Sequence, residues 1–130
     1  MNIITYSVII CPKREFGQVD TMELPQFDRD AIFDLEGQTF IWDKVKANDD
    51  IEKHGISFEE AASVFVIDGA EEFEDEEHSD DEDRLIVIGL SKELRVLTVI
   101  HCWREDETII RIISARKATK LEQQLWMRWQ

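Results

Sequence analysis

The chain has 130 residues, 43% hydrophobic and 34% charged, enough for one packed domain and too apolar for a disordered chain. A formal charge of −14, taken as a whole, argues against a nucleic-acid partner, which needs a basic footprint to displace counterions from phosphates. Two cysteines, Cys11 and Cys102, are too few for a disulfide framework and set the chain in a reducing cytosol.

The first apolar run, Ile3 to Cys11, is too short to span a bilayer and lacks a basic leader, so it reads as a strand. The chain is therefore expected to be soluble and cytoplasmic, with no membrane partner. Pro12 ends that run and Pro25 breaks the polar stretch after it. Phe27, Ile32, Phe33 and Leu35 are too apolar for a free tail, so residues 1–36 are expected to pack on the body as an N-terminal extension. Phe40-Ile41-Trp42 reads as a short strand, and Asp43 as the N-cap of a helix running to about Lys53 and closed by Gly55. Ser57-Phe58-Glu59-Glu60 has the form of a capping box, and Phe58, Ala61, Ala62 and Phe65 give a second helix its buried stripe. A loop from Glu71 to Asp83 follows, with ten acidic residues and no lysine or arginine. Arg84–Leu90, Leu94–Trp103 and Thr108–Ser114 have strand chemistry. Turns at Lys92 and at Glu105-Asp106 make them an antiparallel meander. A last helix is expected from about Lys117, with Leu121, Leu125 and Trp129 at helical spacing. Two helices, a meander and a helix make the class α+β, as one domain over 1–130.

Charge is distributed unevenly along this order. Residues 1–70 carry a net −8, the acidic run −10, and residues 84–130 a net +4. The basic third is also where the arginines sit among strand residues. Four short blocks span the region: Phe40-x-Trp42-Asp43-x-x-Lys46, Lys53-His54-Gly55-Ile56-Ser57-Phe58-Glu59-Glu60-Ala61, His78-Ser79-x-x-Glu82-x-Arg84, and Arg111-Ile112-Ile113-Ser114-Ala115-Arg116-Lys117-Ala118. Taken together, in this order and at these spacings, they resemble the BrnT family, the ribonuclease toxins of bacterial type II toxin–antitoxin pairs. The resemblance covers residues 40–126. It implies a RelE-like fold over 37–130, a metal-independent endoribonuclease that cuts mRNA and arrests growth, and no cofactor. Its implied partners are RNA, a BrnA-like antitoxin that neutralises it, and operator DNA reached only through that antitoxin.

Such a ribonuclease makes the ribose 2′-hydroxyl attack the adjacent phosphate. It needs a base, cations around the phosphate as charge builds, and an acid for the leaving oxygen. Arginine suits the phosphate because its planar fork donates two parallel hydrogen bonds. Arg111 lies in an apolar strand with Ile109 and Ile113, where snorkelling or pairing with a carboxylate is as good a reading as catalysis. Arg116 is expected just past the end of that strand, where two arginines at one end of a sheet would clamp a phosphate. Arg84 opens the first meander strand beside Asp80 to Asp83, as a phosphate ligand or as their partner. His54 falls four residues after Asp50, on the same helical face. With its pKa raised by that carboxylate it is a candidate phosphate ligand or proton donor, against the plainer role of a helix-end residue. Glu122 is a candidate base, against a structural partner for Arg116. Lys53, Lys117 and Lys120 are candidate RNA contacts, as are His101, if it shares the sheet face of Arg111, and Trp126, if it stacks on bases.

The chain departs from the family pattern at three sets of positions, and adds the acidic loop and the N-terminal extension. Asp50 stands where the family has asparagine, and Trp126 where it tends to place a tyrosine. Only Lys117, Lys120 and Arg128 remain of a basic last helix. An indole N–H can only donate, whereas a tyrosine hydroxyl also accepts. These departures and the −14 charge carry a second reading, a catalytically silent BrnT-like protein-binding module. The acidic run has neither the offsets nor the glycine of a calcium loop, so no metal is expected there.

Overall fold

In a computed structural model of the protein, residues 29–75 and 84–130 are described. The expected strand at Thr5–Ile10, Phe27, His78 and the acids from Glu76 to Asp83 lie outside them. Nine elements follow one another: β1 (Asp30–Leu35), β2 (Gln38–Asp43), α1 (Lys44–His54), α2 (Phe58–Val66), β3 (Glu71–Glu74), β4 (Leu85–Leu90), β5 (Val96–Arg104), β6 (Ile109–Lys117) and α3 (Lys120–Arg128). The class is α+β. The six strands form one mixed sheet in the order β1-β2-β6-β5-β4-β3.

Local chemistry sets the helix ends. The Asp43 carboxylate accepts from the N–H groups of Val45 and Lys46 at 2.8 and 3.3 Å, satisfying donors that a helix start leaves open. Gly55 closes α1 at φ 73°, a left-handed conformation in which glycine carries no Cβ penalty. Ser57 caps α2 by accepting from Glu60 N–H at 3.0 Å. The reciprocal half of that capping box is replaced. The Glu60 carboxylate turns to Ser91 Oγ at 2.6 Å and to the Arg95 guanidinium, tying α2 to the β4–β5 hairpin.

The meander is present as expected, β4 against β5 against β6, all antiparallel. β2 joins its far side by pairing in parallel with β6, Thr39 to Ile41 beside Ile109 to Arg111. Along β5 the side chains alternate: Leu97, Val99 and His101 point to one face, Thr98, Ile100 and Cys102 to the other. The first face carries the core. Phe40, Trp42, Val99, Ile110 and Ile112 pack there against Ile56, Phe58, Ala61 and Val64 of the α1–α2 unit, with Trp42 edge-on to Phe58 at 5.8 Å. α3 lies on the second face, reaching Thr98 and Arg116 through Glu122.

The described end of the N-terminal extension is a strand of the sheet: β1 pairs with β2, and Phe33 packs on Phe40 and Trp42. Three sequence expectations are corrected. The start of the acidic run, Glu71–Glu74, is the edge strand β3. β6 continues to Lys117, so Arg116 is a strand residue opposite Thr98 and not a residue past the strand end. α3 accordingly begins at Lys120 and not at Lys117, and its Leu121, Leu125 and Trp129 are exposed. A full capping box, Thr119 with Glu122, starts the helix there. Among the described residues no helix is long and apolar enough to cross a membrane.

Candidate functional site

At the end of β6 one carboxylate organises three elements. Glu122 accepts from Arg116 Nη1 and Nη2 at 2.8 and 2.9 Å, from Thr98 Oγ1 at 2.9 Å, and from the Thr119 N–H at 2.8 Å. Thr98 is fully buried, whereas Arg116 keeps 35% of its side-chain surface. The guanidinium of Arg116 foremost, then the Thr119 N–H and Thr98, hold the Glu122 carboxyl at about 2, against the opposing effect of burial. The same contact pushes Arg116 further up. An acid this strong, with its lone pairs engaged, is a poor proton acceptor at neutral pH. The geometry makes Glu122 a holder of Arg116, oriented in turn by the buried Thr98 and by the start of α3. Lys117 and Lys120, both exposed, flank this arginine.

The other candidates are not gathered around it. Arg111 is on the same strand, five residues earlier, roughly 16 Å away at the usual rise. The structure turns the two arginines to different carboxylates. Arg111 is paired with Asp30 of β1, Nη1 and Nη2 at 3.3 and 3.2 Å from the two carboxylate oxygens. His101 does not share its face: His101 stands opposite Ile112 and Arg111 opposite Cys102. It is fully buried on the core side, edge-on to Phe65 at 4.8 Å, with Nε2 2.7 Å from Glu72 of β3. Burial pushes its pKa down, against the pull of Glu72. Trp103 donates to the same carboxylate oxygen at 3.3 Å.

Trp126 is a fastener: its Nε1 donates to the Gly69 carbonyl at 2.7 Å, and Gln130 Nε2 reaches the same oxygen at 3.0 Å. Arg84 immediately precedes β4, and its carbonyl accepts the Asp75 N–H at 3.0 Å. Lys53 and His54 are exposed in the last turn of α1. Asp50, expected to influence His54, instead points into the protein. Its carboxylate meets Lys46 Nζ at 2.9 Å, the Ala115 N–H at 2.9 Å and Ser114 Oγ at 3.1 Å. In the sequence Asp50 stands out as a neighbour of His54 and as a departure from the family's asparagine, and Thr98 not at all. An acid beside Ala47 on a helix, and a threonine in an apolar strand, were the available signals. Among the described residues no group of three or more histidine, cysteine or acidic side chains is arranged to hold a metal.

Comparison with known proteins bears on this arrangement. The model of the family described as the ribonuclease toxin BrnT of type II toxin–antitoxin systems matches residues 42–122. The chain belongs to the BrnT family. That stretch runs from the buried Trp42 of β2 to Glu122, the carboxylate that holds Arg116, and so includes the meander and both ends of the site. Membership of a toxin–antitoxin family implies an antitoxin partner for this BrnT protein. No curated protein matches the chain. Among solved structures, the 1.1 Å crystal structure of the Brucella abortus ribonuclease toxin BrnT is similar, with 27% identity over 61% of this chain and 94% of that one, and a TM-score of 0.47.

Proposed function

We propose that this BrnT-family chain is a metal-independent endoribonuclease of RelE-like fold that cuts mRNA, arrests growth and is neutralised by a BrnA-like antitoxin. In this reading Arg116 binds the scissile phosphate, with Lys117 and Lys120 raising the local positive potential. The observation that carries it is the way Arg116 is held. Two of its N–H groups are committed to Glu122 and Nη1 also reaches the Lys117 carbonyl at 3.4 Å, while the side chain as a whole stays 35% exposed at the junction of β6 and α3. As the 2′-oxygen attacks phosphorus and the 5′-oxygen leaves, charge grows on the phosphoryl oxygens, and a preorganised guanidinium stabilises it. The 2′-hydroxyl makes the substrate RNA. His54 is the proton donor in this scheme. It is exposed, one helical turn beyond Asp50, whose partner Ala115 is next to Arg116 in the chain. Arg111 contacts a second phosphate further along the strand, and Lys53 and Arg84 supply outer contacts. The antitoxin brings the operator DNA.

The test is tightly controlled induction of the chain in a bacterial host, with total RNA followed over time. Rapid arrest with RNA cleavage, abolished by Arg116→Ala, is the expected result. Arrest that persists in Arg116→Ala removes this arginine from the site. Normal growth with intact RNA favours the second reading, a silent protein-binding module. The observation favouring that module is that Arg111, Arg116 and His101 each already face a carboxylate.

A further inference from the structure

The buried acid of α1 acts on the strand that carries Arg116. β2 accompanies β6 only as far as Arg111 and then leaves the sheet as α1. Beyond that point, among the described residues, no strand lies along the outer edge of β6. Its inner edge is irregular there. His101 faces Ile112 and Ile100 faces Ser114, so Ile113 has no opposite number and β6 bulges. Ala115, two residues past the bulge, is fully buried. Its N–H, with no strand to receive it on the outer edge, donates to Asp50 Oδ2 at 2.9 Å, and Ser114 Oγ reaches the same oxygen at 3.1 Å. Asp50 itself is 2% exposed. Its Oδ1 takes the Lys46 ammonium at 2.9 Å, from a lysine side chain that is 45% exposed.

We propose that Asp50 is a positioning residue for the ribonuclease reaction, a register lock that fixes the bulged end of β6 and with it the face on which Arg116 emerges. Side chains alternate along a strand, so a slip of one residue carries each of them to the opposite face. A bulge is where such a slip is easiest, because one ladder position is already empty. One residue of slip puts Arg116 toward the apolar core and Lys117 in its place. Asp50 opposes this by binding two consecutive residues of the strand at one oxygen, from a helix anchored independently by the Asp43 cap and by Ala47 in the core. Burial raises the Asp50 pKa, but Lys46, the Ala115 N–H and Ser114 more than offset it, so the lock is a carboxylate at neutral pH.

The proposal rests on the reading that Arg116 binds the scissile phosphate, and the experiment separates the two. The purified full chain is given a labelled single-stranded RNA oligonucleotide, and the cleavage rate at saturating RNA is measured apart from RNA affinity. Asp50→Ala is expected to slow cleavage by about 10- to 100-fold, the effect of an ångström-scale misplacement. Asp50→Asn keeps an oxygen for the Ala115 N–H and is expected to restore the rate to within a few-fold. Asp50→Glu keeps the charge and the Lys46 pair but moves the acceptor by one methylene. It is expected to fold and to cleave about tenfold more slowly, which serves if Asp50→Ala does not fold. Wild-type rates in folded Asp50→Ala or Asp50→Glu overturn the proposal, as does an Asp50→Asn protein that is stable but as slow as the alanine variant. If the wild-type chain cleaves no RNA, the ribonuclease reading fails by itself. The lock is then read from the Arg116 Nε–H resonance and the amide exchange of Ala115. Both are expected to change in Asp50→Glu and persist in Asp50→Asn, and an unchanged Asp50→Glu spectrum overturns it.

Discussion

Replacing Glu122 with glutamine tests how the site is held together. The substitution preserves shape and removes the charge that receives Arg116, Thr98 and the Thr119 N–H. The carboxyl stands at about 2 in the folded chain against an ordinary 4.5. The gap corresponds to roughly 3 kcal/mol at about 1.4 kcal/mol per unit, and the partial exposure of both partners reduces it to about 2 kcal/mol. Because the folded value is the lower one, this stability is fully present above the unfolded value of 4.5. It is lost as pH falls through the folded value of about 2. Wild type should therefore exceed Glu122→Gln by about 2 kcal/mol at pH 7 and by less than half of that at pH 3. Urea unfolding followed by tryptophan fluorescence at both pH values measures the difference. A difference that is the same at pH 3 and pH 7 would refute the ion pair as its source. No difference at pH 7 would remove Glu122 as the holder of Arg116.

Three further outcomes follow from other contacts. His101 is kept neutral by burial against the pull of Glu72, so its contribution to stability is complete above about 6.5 and declines as pH falls below it. His101→Gln should flatten the stability profile between pH 7 and pH 5, and a profile as steep as that of wild type counts against this. Asp30→Asn removes the charge facing Arg111. A part-exposed pair of this kind is worth at most about 1 kcal/mol in stability, while RNA affinity in a filter-binding assay should rise several-fold. An unchanged affinity excludes Arg111 from the RNA path. Gly69 has φ 103°, and a Cβ there would stand 2.6 Å from Gln130 Oε1. Gly69→Ala should cost about 1–2 kcal/mol in chemical denaturation and loosen the end of α3, seen as faster amide exchange near Trp126.

The parts of the fold that were legible in the sequence are those fixed by neighbours in the chain. Asp43 and Gly55 act within one turn of themselves, and the meander follows from apolar runs split by charged turns. The parts that were not legible depend on distant contacts. β1 and β3 are edge strands rich in acids, Asp30, Asp34, Glu71, Glu72 and Glu74, and their composition argues for loops until a neighbouring strand is known. The end of β6 lies later than its composition suggests because its bulge breaks the period-two pattern near Ile113, and a polar Ser114-x-Arg116-Lys117 resembles a helix start. The true start is marked by Thr119 and Glu122, since a capping box has a fixed spacing. Once that box is recognised, Glu122 belongs first to the helix end, and its assignment as a base weakens on that ground alone.

The same distinction explains why a charge of −14 says little about what the chain binds. Asp30, Asp50, Glu60, Glu72 and Glu122 each receive a named donor from another element: Arg111, Ala115, Arg95, His101 and Arg116. They are carboxylates of the architecture: Asp30, Asp50, Glu60 and Glu122 are each paired with a lysine or arginine, and Glu72 is hydrogen-bonded to the buried His101. Edge strand β1, helix α3 and edge strand β3 each bring one of them to a candidate cation or histidine. Other acids, such as Glu36 and Glu107, lie at turns between strands. Total charge averages these populations together, whereas a phosphate at Arg116 is sensitive to charge within about a Debye length, ~10 Å. The sum over the chain is therefore the wrong quantity to weigh against the RNA reading. The relevant one is the local balance at the β6–α3 junction. There Arg116, Lys117 and Lys120 stand beside two carboxylates, Glu122 on Arg116 and Asp50 on Ser114 and Ala115, and Asp50 is itself paired with Lys46.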